Sequence, residues 1–371
     1  MKFSKLLSSL RPYVAGEQPK DKKFIKLNTN ENAYPPSPKV AEALRGIDAA
    51  ELRLYPDPDA SELKLALSKK HGVSAENIFT GNGSDEVLGF CFPAFFDRKD
   101  CCGTTDNKNI TPPVLFPDVT YSFYPVYANL YEIPYETVRL REDYGICADG
   151  YKGVRCQGII IANPNAPTGI AMKKDEIESI IRENAGIPVI IDEAYADFCE
   201  YSTVGLTKRY DNLLVVRTFS KSYSLAGLRC GYAVGAKPTI EALDIIKNSF
   251  NSYTLDRLAI KIASAALKDE GYYDMINERI INIRDKTADE LKKNGFTVLP
   301  SSANFVFIKK DGVRGKELFL ALREKGILTR RFEGVRTEDF IRVTVGTEEE
   351  MRIFTKAICE AARTLQKANN A

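Results

Sequence analysis

The stretch Leu213-Leu214-Val215-Val216-Arg217-Thr218-Phe219-Ser220-Lys221 runs from four branched apolar residues into a short polar turn that ends in a lysine. The apolar part predicts a buried strand, because strands covered on both faces read as continuous apolar runs. Arg229 follows eight residues after Lys221. A lysine amine can form a Schiff base with a carbonyl compound, and hydroxyls with a guanidinium suit a phosphate. We therefore predict that Lys221 binds an aldehyde cofactor whose phosphate contacts Thr218, Ser220 and Arg229; the alternative is a solvated surface lysine.

A second apolar run, Ile187 to Ile191, leads directly into Asp192-Glu193-Ala194-Tyr195. Open α/β sheets place their chemistry at the carboxyl ends of parallel strands, so Asp192 is predicted to lie at a site there. An aspartate can pair with a protonated pyridine nitrogen, and Tyr195 can donate a hydrogen bond to a phenolic oxygen. The alternative is that Asp192 only caps the helix that follows.

Two further strands are predicted at Asn77 to Thr80 and at Gly158 to Ala162. The first is followed by Gly81-Asn82-Gly83-Ser84-Asp85-Glu86, which is typical of a glycine turn at a helix start. Such a junction favours a phosphate, because backbone N–H groups and the helix dipole point at it. The alternative is that Ser84 or Asp85 caps the helix. The second strand leads into Asn163 to Gly169.

Several short motifs accompany these strands in chain order: Asn28 to Asn32, Pro35 to Pro38, Tyr55-Pro56-Asp57, Tyr121 to Tyr124, Pro167-Thr168-Gly169, Leu225 to Gly231, Ala303-Asn304-Phe305 and Ile341 to Thr347. With them, the chain resembles the fold-type I pyridoxal phosphate aminotransferases of class I/II, and within that family the histidinol-phosphate aminotransferases. The resemblance covers nearly the whole length.

The resemblance implies an α/β fold of the fold-type I pyridoxal phosphate-dependent transferases. Alternating strands and helices, such as the helical stretches 173–185 and 237–248, indicate a doubly wound, mostly parallel sheet. We place this large cofactor-binding domain at residues 46–255. Strands predicted at 296–299, 304–308 and 340–345 belong to a smaller α+β domain. In this family the N-terminal segment joins it, so the smaller domain comprises 1–45 plus 256–371.

The resemblance also implies roles around the ring of pyridoxal 5'-phosphate. Lys221 is expected to form the Schiff base and then to move a proton as general acid and base. Asp192 is expected to pair with the ring nitrogen and Tyr195 to contact the phenolic oxygen. Tyr121 is expected to stack on the ring face.

The cofactor phosphate is expected to contact the backbone of Ser84 and Asp85 together with Thr218, Ser220 and Arg229. In this family a tyrosine at the position of Tyr55 reaches the cofactor phosphate of the neighbouring subunit. The resemblance therefore implies an obligate homodimer with shared active sites.

The chain departs from the family pattern at Ala166, where an asparagine usually precedes Pro167-Thr168-Gly169. The usual amide contact to the phenolic oxygen is therefore in doubt. Two arrangements stay open: Asn165 replaces it through a small backbone shift, or Tyr195 alone contacts that oxygen.

Substrate binding poses a physical problem, since glutamate has two carboxylates while histidinol phosphate has no α-carboxylate. A guanidinium that binds either phosphate or carboxylate with two parallel hydrogen bonds solves it. Arg342 is the first candidate and Arg330 the second; the alternative for Arg342 is a surface arginine on an edge strand. Tyr13 matches a family tyrosine near the substrate phosphate, and Asn304 is a further candidate for the pocket.

Composition agrees with an enzyme acting on small molecules. The 371 residues are 44% hydrophobic and 27% charged, with a net charge of +2. This length supports two domains, and a near-neutral balance gives no reason to expect nucleic acid or membrane as partners. No stretch reaches the roughly 18 apolar residues of a spanning helix. The segment Met1 to Leu10 is too short and serine-broken for a signal peptide, so a cytoplasmic location is expected.

None of the eight cysteines lies in a Cys-x-x-Cys pair, so reduced thiols are expected. His71 is the only histidine, and its place before Gly72 suits a helix C-terminus. We therefore expect no metal site and no Ser-His hydrolase. The polar run Arg98 to Asn109 is predicted to be a surface insertion.

Three activities stay open. The first is transamination of imidazole acetol phosphate by glutamate, giving histidinol phosphate and 2-oxoglutarate in a ping-pong reaction. The second is an aminotransferase for aromatic or other amino acids, because a few pocket contacts decide specificity. The third is a lyase similar to threonine-phosphate decarboxylase, which breaks the bond from Cα to the carboxylate. A non-enzymatic regulator would carry a DNA-binding domain, for which we expect no room.

Overall fold

The computed structural model describes residues 3–20, 23–99 and 111–369. The helices are α1 Lys5–Ser9, α2 Pro38–Arg45, α3 Ser61–His71, α4 Gly83–Phe95, α5 Phe123–Leu130, α6 Lys174–Glu183, α7 Lys237–Phe250, α8 Arg257–Ala266, α9 Glu270–Lys293, α10 Gly315–Glu324 and α11 Glu348–Asn369. The strands are β1 Ile25–Lys26, β2 Ile78–Gly81, β3 Val114–Pro117, β4 Tyr135–Val138, β5 Gly158–Ala162, β6 Val189–Asp192, β7 Leu213–Thr218, β8 Gly231–Gly235, β9 Thr297–Val298, β10 Phe305–Lys309, β11 Ile327–Leu328, β12 Arg330–Arg331 and β13 Ile341–Thr344.

The largest sheet has the strand order β2-β8-β7-β6-β5-β3-β4. Strands β7, β6, β5, β3 and β4 pair in parallel, and β8 runs antiparallel between β7 and β2. The predicted mostly parallel α/β sheet is thus confirmed. The predicted strands correspond to β2, β5, β6 and β7, although Asn77, Ile187 and Pro188 precede their strands and β7 continues to Thr218.

Alternate residues of the central strands enter two different hydrophobic cores, because successive side chains of a strand point to opposite faces. Ile159, Ile161 and Ile191 pack in one core with α3, α6 and α8. Ile160 and Ile190 pack in the other with α4, α5 and α7. Burial on both faces explains why these strands are apolar throughout.

A second sheet, with the order β12-β13-β10-β9, is antiparallel, and β1 pairs separately with β11. Its core contains residues of β10, β13, α9, α10 and α11. Strands β9, β10 and β13 were predicted, whereas the short strands β1, β11 and β12 were not.

The strand register collects the predicted polar turns at one edge of the large sheet. Ala162 lies beside Asp192, which lies beside Val216. Gly231 begins β8 between Gly81 and Thr218. A Cβ atom on Gly231 would lie 2.3 Å from the backbone nitrogen of Ser84, so only glycine allows helix α4 to start this close to the strands.

His71 ends α3 as predicted, and Gly72 follows in the left-handed conformation. Its Nε2 lies 2.9 Å from the hydroxyl of Tyr232. Burial and the nearby charge of Arg217 lower the pKa of His71 to about 3, so the ring is neutral at physiological pH.

The described residues contain free thiols, but neither a metal-binding cluster nor a helix able to cross a membrane. Their cysteines are Cys91, Cys147, Cys156, Cys199, Cys230 and Cys359, and all six are free thiols. In residues 3–20, 23–99 and 111–369, no cluster of three or more His, Cys, Asp or Glu is placed to hold a metal ion. None of the described helices has the length and apolarity needed to cross a bilayer. Most of the predicted insertion at Arg98 to Asn109 lies outside the described residues.

Candidate active site

A cavity of about 420 Å³ opens at the carboxyl edge of the large sheet, between that sheet and the second one. Twelve of the fifteen residues predicted from sequence line it: Tyr13, Ser84, Asp85, Tyr121, Asp192, Tyr195, Thr218, Ser220, Lys221, Arg229, Arg330 and Arg342. Residues separated by more than 300 positions in the chain therefore meet at one place.

Lys221 lies in the turn after β7 and is not a solvated surface lysine. Its Nζ donates a hydrogen bond to the backbone oxygen of Thr29 at 3.3 Å and lies 6.0 Å from the ring centre of Tyr195. Asn32 donates to the backbone oxygen of Lys221 at 3.0 Å and so holds the turn. Burial and the charge of Arg342 lower the pKa of Lys221 to about 8, which raises the fraction of neutral, nucleophilic amine.

Asp192 is the last residue of β6 and is 5% exposed. Its carboxylate accepts hydrogen bonds from the Tyr124 hydroxyl at 2.9 Å and from the backbone N–H of Ala194 at 3.2 Å. The second bond is a local turn contact, so Asp192 both closes the turn and lines the cavity. Burial raises the pKa of Asp192 to about 6, although both hydrogen bonds oppose the shift.

Two tyrosines face the cavity beside Lys221 and Asp192. Tyr121 donates to the Asp85 carboxylate at 2.6 Å, and its ring packs edge-on against Tyr124. Tyr195 accepts a hydrogen bond from the side-chain amide of Asn30 at 2.9 Å. Both rings can therefore contact a flat ligand while their hydroxyls are held in place.

The start of α4 has the chemistry of a phosphate site. Asn82, which precedes the helix, makes no side-chain capping bond, and Ser84 and Asp85 lie in the first turn rather than at the cap. First-turn N–H groups favour an anion. Gly83 has φ +80°, and a Cβ atom there would lie 2.6 Å from a nitrogen of Arg229. The loop is thus shaped for close approach of a guanidinium and an anion to the backbone.

Hydroxyls and a guanidinium complete this region. Thr218 donates to the Ser220 hydroxyl at 3.0 Å, and both side chains are buried. Arg229 pairs with Asp85 at 2.9 Å and has the left-handed φ of 53°. An arginine in this uncommon conformation indicates that its position is imposed by the surroundings. These groups fit the phosphate of a cofactor such as pyridoxal phosphate.

Two arginines form the opposite wall. Arg330 of β12 and Arg342 of β13 are direct cross-strand partners, an arrangement in which like charges repel. Arg342 donates to the backbone oxygen of Asn28 at 3.1 Å, and its buried Nε has no partner among the described residues. Neither arginine pairs with a carboxylate in the described part of the chain. Since β13 lies between β12 and β10, Arg342 is not on an edge strand.

Three predicted residues do not line the cavity. The Asn165 amide donates to the backbone oxygen of Val119 and accepts from Thr120, so it is used within its own loop while Ala166 lines the cavity. Asn304 is buried behind the wall and donates to the backbone oxygen of Asn30 at 3.1 Å. Tyr55 lies on the outer surface and is 79% exposed.

The residues that sequence reasoning left without a role come mainly from the polar run at Asn28 to Glu31, all of which line the cavity. Burial alone would raise the pKa of Glu31, but hydrogen bonds from Lys26 and Thr29 lower it, so a carboxylate lies in the cavity. The high content of amide and acidic side chains in this run was the sequence signal that could have identified it as part of the site.

A buried ionic network lies behind the cavity-lining residues Asp192 and Lys221. Arg217 donates to Glu193 at 3.1 Å and also pairs with Asp197, which accepts from the Ser222 hydroxyl. Glu193 follows Asp192 and Ser222 follows Lys221. The network thus ties together the ends of β6 and β7, and it was not predicted because its members are dispersed in the sequence.

The model of the family described as aminotransferase class I and II matches residues 22–358. A histidinol-phosphate aminotransferase of Brachyspira hyodysenteriae is 48% identical over 351 residues, covering 94% of this chain and 96% of that protein. A histidinol-phosphate aminotransferase of Clostridium botulinum (strain Okra / Type B1) is 46% identical over 356 residues, covering 96% of this chain and 97% of that protein. The crystal structure of a Sinorhizobium meliloti histidinol-phosphate aminotransferase in complex with pyridoxal-5'-phosphate has a TM-score of 0.86 at 25% identity, covering 98% of both chains.

The raised pKa of Asp192 predicts a pH-dependent stability. A carboxyl whose folded-state pKa is raised stabilises the fold at pH values below its unfolded pKa and loses that contribution as pH rises through about 6. Without cofactor, the stability of the wild type relative to Asp192→Asn should therefore increase by about 2 kcal/mol between pH 7.5 and 4.

Urea unfolding of both proteins across this pH range measures the difference. Asp211→Asn, which removes a carboxylate from an exposed position, controls for the lost charge. A constant difference between the wild type and Asp192→Asn would show that Asp192 does not carry the shift.

Proposed function

Since the chain belongs to the aminotransferase class I and II family, we propose that it transfers an amino group between histidinol phosphate and 2-oxoglutarate. The products are imidazole acetol phosphate and glutamate, and the reaction serves histidine biosynthesis in the reverse direction. The proposal extends to this chain the activity in the names of relatives that are 46–48% identical over nearly the full length.

The protein is an aminotransferase, and its cofactor is pyridoxal 5'-phosphate. The bound cofactor supplies an aldehyde for an amine and an electron sink for a carbon that loses its proton. The cavity offers a lysine, a buried carboxylate and an anion cradle in one place. These features support the assignment of Lys221, Asp192 and the α4 start to the cofactor.

Lys221 is the proton carrier in this proposal. With a pKa of about 8, its Nζ is partly neutral at pH 7 to 8 and can take a proton from the substrate Cα. The hydrogen bond from Nζ to the Thr29 backbone oxygen holds the amine at the cavity wall. A lysine exposed to solvent would be almost fully protonated at this pH.

The neighbouring side chains orient the cofactor. The Asp192 carboxylate, fixed by Tyr124, favours a positive charge at the cavity floor. Tyr195 presents its hydroxyl, and Tyr121 presents an aromatic ring. The hydroxyls of Thr218 and Ser220, the first turn of α4 and Arg229 hold the phosphate.

The pair of Arg330 and Arg342 is the observation that carries the substrate assignment. Two like charges opposite each other on adjacent strands are unfavourable unless an anion bridges them. The phosphate of histidinol phosphate and a carboxylate of glutamate both satisfy a guanidinium, so one wall can accept both substrates. Tyr13, stacked on Phe123, lines the same end of the cavity.

We further propose a homodimer with shared sites. Leu52, Leu54, Tyr55, Phe250 and Tyr253 form an exposed apolar surface, which we call the Tyr55 surface. Tyr55 stacks on Tyr253 with ring centres 4.7 Å apart and does not line its own cavity. An exposed apolar surface of this kind is typical of a subunit interface. A second copy would place Tyr55 near the partner's phosphate site.

The domain division at 46–255, with 1–45 plus 256–371 as the smaller domain, is also a proposal. The two separate sheets, each with its own core, support it. Helix α8 packs on the core of the large sheet although it lies beyond residue 255. A cytoplasmic location is supported by free thiols in the described residues, and the near-neutral charge supports small molecules rather than nucleic acid or membranes as partners.

A single-turnover spectrum of the cofactor-bound enzyme tests the activity. Histidinol phosphate and glutamate should each bleach the absorbance of the Lys221 Schiff base, with no release of carbon dioxide. Phenylalanine and threonine phosphate serve as competing substrates in the same assay. Bleaching by phenylalanine and glutamate alone would make the protein an aromatic aminotransferase, and carbon dioxide from threonine phosphate would make it a lyase.

Arg342→Gln tests the arginine wall. Loss of a charge-assisted, two-pronged contact should lower kcat/KM for both histidinol phosphate and glutamate by about 100-fold. The matched control is Arg331→Gln, because Arg331 neighbours Arg330 but pairs with exposed Glu333. Equal effects of the two variants, or no effect of Arg342→Gln with unchanged cofactor absorbance, would contradict this role.

Hybrid dimers test the shared site. Tyr55→Phe should weaken cofactor binding about tenfold through loss of one hydrogen bond to phosphate, while Tyr253→Phe on the same surface should not. In a hybrid of Tyr55→Phe with Lys221→Ala subunits, the site that retains Lys221 should bind cofactor normally, since its tyrosine comes from the partner. Weak binding in that hybrid would place Tyr55 in its own subunit's site, and normal binding by the Tyr55→Phe homodimer would place it outside any site.

A further inference from the structure

The hydroxyl of Tyr195 receives a hydrogen bond from Asn30 and gives none to a described residue. Asn30 Nδ2 donates to Tyr195 Oη at 2.9 Å. No other described group bonds to this hydroxyl, so its own proton is available to the cavity that Tyr195 lines. Because Asn30 is the donor in this hydrogen bond, the Tyr195 hydroxyl can direct its own proton into the cavity.

Thr344 fixes the orientation of the Asn30 amide. The backbone N–H of Asn30 donates to Thr344 Oγ1 at 2.9 Å, and Thr344 Oγ1 donates to Asn30 Oδ1 at 3.1 Å. The amide oxygen is thus engaged, which leaves Nδ2 toward Tyr195. A reversed amide would leave the buried Thr344 proton without an acceptor among the described residues, which costs free energy.

The backbone of Asn30 is held as firmly as its side chain. Asn304 donates to the Asn30 backbone oxygen at 3.1 Å, so all four polar groups of Asn30 are hydrogen-bonded. Asn30 has φ 55°, a conformation that asparagine tolerates better than most residues. The Tyr195 ring packs edge-on against Phe305 with ring centres 5.1 Å apart, and this contact restricts movement of the Tyr195 ring.

Because Ala166 stands where the family usually has an asparagine, the Tyr195 hydroxyl matters more as a hydrogen-bond donor in this chain. The cavity wall formed by the loops after β5 and β6 contains Ala162, Pro164, Ala166 and Ala194, whose side chains have no hydrogen-bonding groups. The Asn165 amide is engaged with Val119, Thr120 and Thr168. Tyr195 is therefore the neutral side-chain donor that this wall offers to a ligand.

We propose that Asn30 is a positioning residue that holds Tyr195 as an acceptor, so that the tyrosine directs its own proton to the phenolic oxygen of the cofactor. This inference rests on the proposed function, because it requires bound pyridoxal phosphate. Asn30 does not touch the cofactor in this role and acts through Tyr195. It compensates for the amide that is absent at Ala166.

Asn30→Asp provides a nearly isosteric test, since the new carboxylate keeps the Thr344 bond but offers Tyr195 an acceptor instead of a donor. Tyr195 then turns its proton away from the cavity. A hydrogen bond to the phenolic oxygen stabilises the state in which the Lys221 Schiff base has lost its proton, so its loss should raise the Schiff-base pKa by about one unit. An absorbance titration of the cofactor-bound enzyme measures this pKa.

The added charge needs its own control, because Lys221, Asp192, Asp85 and Arg342 all surround Tyr195. Asn30→Gly removes the amide without adding charge, and glycine accepts the positive φ. It should also raise the Schiff-base pKa. In the Tyr195→Phe background, Asn30→Gly should have no effect and Asn30→Asp should retain only the effect of its charge, which a double-mutant cycle separates.

Kinetics give an independent readout of the same role. Asn30→Gly, which adds no charge beside Arg342, should lower kcat about tenfold while KM changes less than twofold, since the arginine wall stays intact. Equal pKa shifts in the Tyr195 and Tyr195→Phe backgrounds, or an unchanged titration of Asn30→Gly, would overturn the proposal. The titration requires only enzyme and cofactor, so it remains decisive if the enzyme acts on a different amino donor.

Discussion

Parallel pairing of buried strands at one edge of the large sheet is the constraint on which the active site depends. The register aligns the ends of β5, β6 and β7, so that Asp192 and the lysine turn come together. Alternate residues of each strand fill two different cores. A slip of one residue would therefore turn every side chain of that strand toward the wrong core. The position of Asp192 is therefore fixed by the packing of apolar side chains that have no chemical role.

Burial shifts the protonation equilibria of the charged groups in the site. The pKa of Asp192 is raised to about 6 and that of Lys221 lowered to about 8, because low polarity disfavours both charged forms. These shifts are sustained by the stability of the surrounding cores. A ligand with a cationic ring nitrogen would relieve part of this cost by pairing with the buried Asp192 carboxylate.

The segment from Leu27 to Asn32 connects the two sheets across the cavity. Leu27 accepts from the backbone N–H of Thr344 in β13, while Asn32 donates to the backbone of Lys221 after β7. Between them, Asn28 and Thr29 accept from Arg342 and Lys221 through their backbone oxygens. Arg342, which we propose binds substrate, and Lys221, which we propose carries the proton, are thereby held by one short stretch of chain.

Apolar runs and the polar turns after them are local patterns, and from them the sequence predicted the parallel sheet and the residues that end or follow β2, β6 and β7. Other cavity residues, such as Tyr13 and Tyr121, were predicted from the family resemblance. Tertiary structure alone decided that Arg342 faces Arg330, that Arg217 joins Glu193 to Asp197, and that Asn30 orients Tyr195. It also placed Asn165 and Asn304 outside the cavity, although their motifs looked functional. These outcomes depend on side-chain directions and on contacts between distant segments, which packing selects and which no local pattern of residues encodes.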